Sequence, residues 1–160
     1  MKKVLKEKYK AAVIGVGRIG MKLENDPKRL KPATHFGMWQ LSDNTDLVAV
    51  CDNDLENLEM AKNLNPNVKV FQNAEDLLKS VKPDIVSIST WRDTHFEMMK
   101  LCSKYEVPAI VCEKPIAENF NDAAEIIDEL KSKGIHLFVN HRRRFDKVLY
   151  DFKNKINNGI

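Results

Sequence analysis

The chain has 160 residues, enough for one domain, or for one domain and the start of another. Hydrophobic residues make up 43% and charged residues 31%, an ordinary globular balance, and a net charge of +3 spread over scattered lysines is no nucleic-acid footprint. The basic N-terminus lacks the apolar core of a secretion signal and no apolar run nears the ~18 residues of a membrane span, so a cytoplasmic protein without a membrane partner is expected.

Strand-like and helix-like segments alternate along the chain. Residues 11–15 read as a first strand, and a helix is expected from Arg18, cut short by Pro27 and Pro32. Residues 37–41 can form a helical turn. Strand 47–51 precedes helix 55–64, and short strand 68–71 precedes short helix 74–80. Strand 84–89 follows the turn signal Lys82-Pro83, with a helix over 94–104. Strand 109–112, a long amphipathic helix over 121–133 stopped by Gly134, strand 135–139 and a helix start at 145 complete the series. Six strands that are nearly continuous Val- and Ile-rich runs suit a sheet covered on both faces. The expected fold is α/β, a doubly wound, mostly parallel Rossmann sheet in the order 3-2-1-4-5-6.

The first strand breaks into Gly15-Val16-Gly17-Arg18-Ile19-Gly20, a G-x-G-x-x-G turn. Gly15 allows a sharp exit from the strand, Gly17 lets backbone approach a pyrophosphate, and Gly20 lets a helix pack closely. The N-terminus of that helix is expected to face the phosphates. Asp52 ends the second strand, where a carboxylate accepts bonds from ribose hydroxyls and repels a 2′-phosphate. It stands further along than the usual ~20 residues, and the excess falls in a Pro-containing loop over 25–36. Asp54 is the better cap for helix 55–64, which leaves Asp52 without a simple structural task. The pair therefore points to a dinucleotide, NAD in preference to NADP, with Arg18 leaving NADP open.

Further candidates follow the later strands. Thr90 and Trp91 lie beyond strand four, beside the point where the strand order reverses. His95 opens the next helix and is either a first-turn packing residue or part of the site. Glu113-Lys114-Pro115 follows strand five, and a lysine there can orient a substrate hydroxyl and move its proton, although such a pair can also be a surface salt bridge. Asn140-His141-Arg142-Arg143-Arg144 follows strand six and can bind an anion or a sugar, or open a solvated helix with Asp146 as partner. Cys51, Cys102 and Cys112 show no metal or redox spacing, so three free structural thiols and no metal site are expected.

The motifs at 15–20, 48–54, 84–95, 112–117 and 139–146 stand in the order and spacing of a known family. The chain resembles the N-terminal Rossmann domain of the glucose–fructose oxidoreductase / inositol dehydrogenase (Gfo/Idh/MocA) family, over roughly residues 8–150. The E-K-P stretch is the specific part; it also argues against a methyltransferase-like Rossmann domain. The stretch 34–40 looks like a subgroup of the same family. Trp91 and Arg92 depart from the Pro and Asn usual there.

The resemblance implies that Gly15, Val16, Gly17, Arg18, Ile19 and Gly20 hold the pyrophosphate and Asp52 the adenosine ribose. It implies that Thr90, Trp91 and His95 flank the nicotinamide half. It sets Glu113 and Asn140 at the cofactor, Arg142 near the substrate, and Lys114 at the substrate as the catalytic lysine. It implies an NAD(P)-dependent oxidoreductase that takes a hydride from a sugar, polyol or related hydroxy substrate, homo-oligomeric at full length. Residues 1–145 are then the dinucleotide domain, and 146–160 begin a connection to a second domain that this chain lacks, so the chain alone is expected to be inactive. The alternative is a stand-alone nucleotide-binding or regulatory module without catalysis.

Overall fold

The structure, a computed structural model, describes residues 8–159, with the side chains of Arg142 and Phe145 outside that description. Six strands form one sheet: β1 (Tyr9–Ile14), β2 (Thr45–Cys51), β3 (Lys69–Phe71), β4 (Ile85–Ile88), β5 (Ala109–Cys112) and β6 (His136–Val139). The order is β3-β2-β1-β4-β5-β6, and every pairing is parallel. The helices are α1 (His35–Leu41), α2 (Leu55–Leu64), α3 (Ala74–Val81), α4 (His95–Lys104), α5 (Phe120–Ser132) and α6 (Lys147–Asn157). The expected doubly wound sheet is the one observed.

The two-residue alternation of β1 divides the core. Ala12 and Ile14 face a cluster with Leu77 and Leu78 of α3, Met99 of α4, and Ile126 and Leu130 of α5. Val13 faces the other way, onto Phe36 of α1 and Leu58 and Ala61 of α2. Polar caps fix where the helices begin. Asp54 accepts from the Glu56 amide at 2.9 Å, Asn73 from Glu75 at 2.8 Å, and Asn119 from Asp122 at 3.0 Å. Gly134, at φ +68°, follows α5.

The helix expected from Arg18 does not form. The amides of Met21 and Lys22 both bond to the Gly17 carbonyl, and only a 3-10 turn, Lys22–Asn25, follows. Pro27 stops the turn from going further: it disfavours helical backbone at Asp26, which is extended at ψ 113°. The chain then loops out and returns at Thr34, whose hydroxyl accepts from the Gly37 amide and caps α1. The loop therefore closes at Thr34, earlier than expected, and His35 and Phe36 belong to the helix. Their amides bond to the carbonyls of Ile19 and Gly20, at 3.3 and 2.9 Å. Helix α1 thus seats directly on the glycine turn, and those amides are spent on protein carbonyls instead of a ligand.

Candidate active site

Every strand of a parallel sheet delivers the residues after its carboxyl end to the same edge. Here that edge holds a cleft of about 1460 Å³, walled by residues following β1, β2, β4, β5 and β6.

The glycine turn forms its floor. Gly15 has φ +88°, and a Cβ there would stand 2.6 Å from the Thr90 amide nitrogen. A Cβ on Gly20 would lie 2.0 Å from the Gly15 carbonyl oxygen, so this glycine lets the turn close on itself. Gly17 has nothing among the described residues within 4 Å of its Cβ position. The amides of Gly17, Arg18 and Ile19 have no acceptor among the described residues, and all three residues line the cleft. Open space beside unpaired amides is the cradle a pyrophosphate fits. Val16 and Gly20 are buried and shape the turn without lining the cleft.

Asp52 does have a structural task, contrary to the sequence reading. Its Oδ2 accepts from the Val16 amide at 2.8 Å and its Oδ1 from the Asp54 amide at 3.0 Å. The carboxylate ties the glycine turn to the entry of α2. A carboxylate has about four acceptor sites, so two remain for ribose hydroxyls, and Asp52 lines the cleft. Asn57 of α2, which the sequence did not single out, lines the same end; it is buried and its Oδ1 has no hydrogen-bond partner among the described residues.

Thr90 and Trp91 lie on the wall, and the indole is 85% exposed. The Thr94 hydroxyl holds this loop through the Trp91 carbonyl at 2.7 Å. Arg92 pairs with Glu118 at 3.4 Å. His95 is not on the wall. It is 1% exposed, with Nδ1 2.6 Å from the Pro115 carbonyl oxygen and Nε2 3.1 Å from that of Thr90. Of its two readings, the structure supports the packing one: the ring lies between the loops that follow β4 and β5.

Glu113 sits in a network that the sequence did not reveal. His35 Nε2 is 3.1 Å from Glu113 Oε1, and the Asn140 amide donates to the same oxygen at 2.5 Å. His35 Nδ1 is 3.1 Å from Ser87 Oγ, which accepts from the Trp39 indole at 2.7 Å. One proton assignment satisfies every contact: the Ser87 hydroxyl donates to Nδ1, and Nε2–H donates to the carboxylate. Burial pushes the Glu113 carboxyl up, but the bonds from His35 and Asn140 outweigh it and hold the group below its ordinary range. The clues in the sequence were a serine in the apolar strand I-V-S-I and a histidine in the apolar turn H-F-G-M-W.

Lys114 is exposed on the wall, beside Glu113, and its bond to Pro115 is cis. It also borders a smaller cavity of about 440 Å³, lined by Ile116, Val139 and His141. Asn140, Arg143 and Arg144 lie on the main wall. The Arg142 side chain lies outside the described residues. Cys51, Cys102 and Cys112 are buried and free, and burial is the main cause of pushing each thiol up to about 12. Among the described residues no cluster could hold a metal ion, and no helix is long and apolar enough to cross a membrane.

Comparison with known proteins agrees with this geometry. Residues 9–141 match the family described as "Oxidoreductase family, NAD-binding Rossmann fold". Myo-inositol 2-dehydrogenase of Thermotoga maritima is 28% identical over 92% of this chain and 40% of its own length. D-glucoside 3-dehydrogenase of Escherichia coli is 27% identical over 94% and 40%. The WlbA dehydrogenase of Chromobacterium violaceum, solved with NADH and UDP-GlcNAcA, superposes with a TM-score of 0.81 at 25% identity, covering 97% of this chain and 41% of that one. The chain thus spans about 40% of the length of the relatives it matches. A six-stranded parallel sheet, a glycine cradle at the reversal of strand order and a match over residues 9–141 lead to one conclusion: the chain belongs to the Gfo/Idh/MocA oxidoreductase family, and this region is its NAD-binding Rossmann domain.

Proposed function

We propose that the chain is the cofactor-binding part of a dehydrogenase that oxidises a sugar, polyol or related hydroxy compound. The observation that carries this reading is Lys114, exposed on the cleft wall past β5 and next to a carboxylate held in place by His35 and Asn140. Relatives named as inositol and glucoside dehydrogenases support it.

NAD, when bound, supplies the hydride acceptor. The chain's own groups do the rest. The amides of Gly17, Arg18 and Ile19 meet the pyrophosphate, and Gly15, Val16 and Gly20 hold the turn that presents them. Asp52 accepts from the adenosine ribose and repels a 2′-phosphate, which favours NAD over NADP. Thr90 and Trp91 border the nicotinamide half, with His95 beneath them as a positioning residue. Glu113 and Asn140 receive the second ribose. The Lys114 ammonium donates to the substrate hydroxyl oxygen and eases its ionisation, and the proton passes to solvent in the open cleft as the carbonyl forms. We place the full-length protein in the cytoplasm as a homo-oligomer.

Calorimetric titration with NAD and NADP tests the first half of this reading: NAD binds, and NADP binds more weakly. Absence of binding by either at millimolar concentration refutes it. Lys114→Ala is expected to keep its affinity for NAD and, in the full-length protein, to lose polyol-dependent NADH formation. NAD binding with no polyol oxidation by the full-length protein would support a regulatory nucleotide-binding module instead.

A further inference from the structure

The charges on the cleft wall are uneven. Among the described residues it carries six cationic side chains, Arg18, Arg29, Lys114, Arg143, Arg144 and Lys153, against three carboxylates. Those carboxylates are already engaged by protein donors: Asp52 by two backbone amides, Asp54 by the first turn of α2, and Glu113 by His35 and Asn140. Of the cations, Arg29 is paired with Asp26 at 3.2 Å. Arg143, Arg144 and Lys153 have no ion-pair partner among the described residues.

Position separates these cations from the cofactor's phosphates. The glycine cradle follows β1, whereas Arg143 and Arg144 follow β6, three strands away in the sheet. At roughly 4.8 Å per strand, that is about 14 Å across the edge. Lys114, at the end of β5, lies between them. A pyrophosphate in the cradle is met by Arg18 and the turn amides, so its charge does not answer the cations past β6. A cleft lined by one sign of charge concentrates the opposite sign, and an arginine fork suits the planar oxygens of a carboxylate or a phosphate.

We propose that Arg143 and Arg144, with Lys153 of α6 on the same cleft wall, form an oxyanion subsite on the substrate side of Lys114, so that the hydroxy substrate carries a carboxylate or a phosphate. The inference rests on the dehydrogenase reading and narrows its substrate class. One group of the substrate is oxidised at Lys114; another, ionised group is gripped past β6 and sets which hydroxyl arrives there.

The test uses the chain saturated with NAD, titrated in turn with glucose, glucuronate and glucose 6-phosphate. At least one anionic sugar is expected to bind about tenfold more tightly than glucose, the effect of one charge-assisted contact. Which of the two does so tells carboxylate from phosphate. Arg143→Ala/Arg144→Ala is expected to bring the ratio of anionic to neutral affinity down to about one. Equal affinity for all three probes overturns the proposal, as does no measurable binding of either anion. An unchanged ratio in the double variant also overturns it. So does anion binding that weakens as NAD saturates, because the arginines would then serve the cofactor's phosphates. Failure of NAD itself to bind appears in the first titration and refutes the dehydrogenase reading separately.

Discussion

His35 and Glu113 give the sharpest prediction, because their contact is buried, charged at one end and invisible to either residue's sequence neighbours. His35 is 3% exposed at its side chain and Glu113 13%, so solvent screens the pair little. A hydrogen bond to a charged partner contributes about 1.5–3 kcal/mol, and a neutral one about 1 kcal/mol. His35→Leu loses both kinds, to Glu113 and to Ser87, and is expected to cost about 3 kcal/mol. In a domain of this size that lowers the melting temperature by roughly 6–12 °C. A double-mutant cycle with Glu113→Ala isolates the shared contact, since the Ser87 loss appears in both His35 arms and cancels. The expected coupling at pH 7 is about 2 kcal/mol, read from urea unfolding followed by circular dichroism. The pH dependence has a definite sign. Because Glu113 is held below its ordinary range in the folded chain, its contribution is complete above the unfolded value and is lost as pH falls through the folded one. The coupling is therefore lost once pH falls below the folded value of Glu113. A coupling at pH 7 inside the ~0.5 kcal/mol error of additivity, or one that persists in acid strong enough to protonate the Glu113 carboxylate, refutes the reasoning.

Three further predictions follow from single contacts. Gly20→Ala forces a Cβ onto the Gly15 carbonyl and is expected to destabilise the chain by roughly 1–3 kcal/mol, whereas Gly17→Ala meets nothing among the described residues. Gly17→Ala should keep its urea midpoint and lose NAD affinity about tenfold by calorimetry, one methyl group standing where the pyrophosphate lies; a loss of stability without loss of affinity contradicts the cradle. The three cysteines, pushed up to about 12 by burial, should react with iodoacetamide at pH 8 at least a hundred-fold more slowly in the native chain than in urea; fast labelling of the native chain would contradict the burial. Glu129 is held at about 2, chiefly by bonds from Lys100 and Ser103, so its contribution is present above pH 4.5 and is lost as pH falls towards 2. Glu129→Gln should therefore flatten the acid limb of a plot of melting temperature against pH, and an unchanged limb would remove Glu129 from the account.

What could be read in advance divides along a physical line. The central strands must be apolar because the sheet is covered on both faces, and the half-exposed edge strands β3 and β6 still read as short apolar runs, so all six announced themselves and their ends shifted by at most two residues. The wall residues Asp52, Thr90, Lys114 and Asn140 were legible because each directly follows a strand or nearly so, and a parallel sheet sends all those positions to one edge. Contacts between segments were not legible. His35 reaches Ser87 across 52 positions and Glu113 across 78, and no local pattern encodes that. His95 stood open between two readings because its sequence neighbours suit both; two backbone carbonyls against its ring support packing.

The misplaced first helix is instructive, because the same fact explains the network. Glycine spacing promised a helix at Arg18, but only a 3-10 turn that ends before Pro27 formed. The chain loops out before Thr34 and restarts the helix with its first amides on the Ile19 and Gly20 carbonyls. The Glu24 carboxylate staples the loop shut, accepting from the Ala33 amide at 3.0 Å and the Thr34 hydroxyl at 2.6 Å. Gly37 lets that carboxylate lie where a Cβ would otherwise stand. Closing a loop of this length costs little more entropy than closing a shorter one, so the insertion is cheap once its ends are fastened. Its consequence is positional. The first residue of the restarted helix is His35, and its ring is thereby delivered between Ser87 of β4 and Glu113 beyond β5. The inserted loop is thus coupled to the carboxylate beside Lys114 through one imidazole, and a change that loosens Glu24 from Thr34 should be felt at Glu113 before it is felt in the sheet.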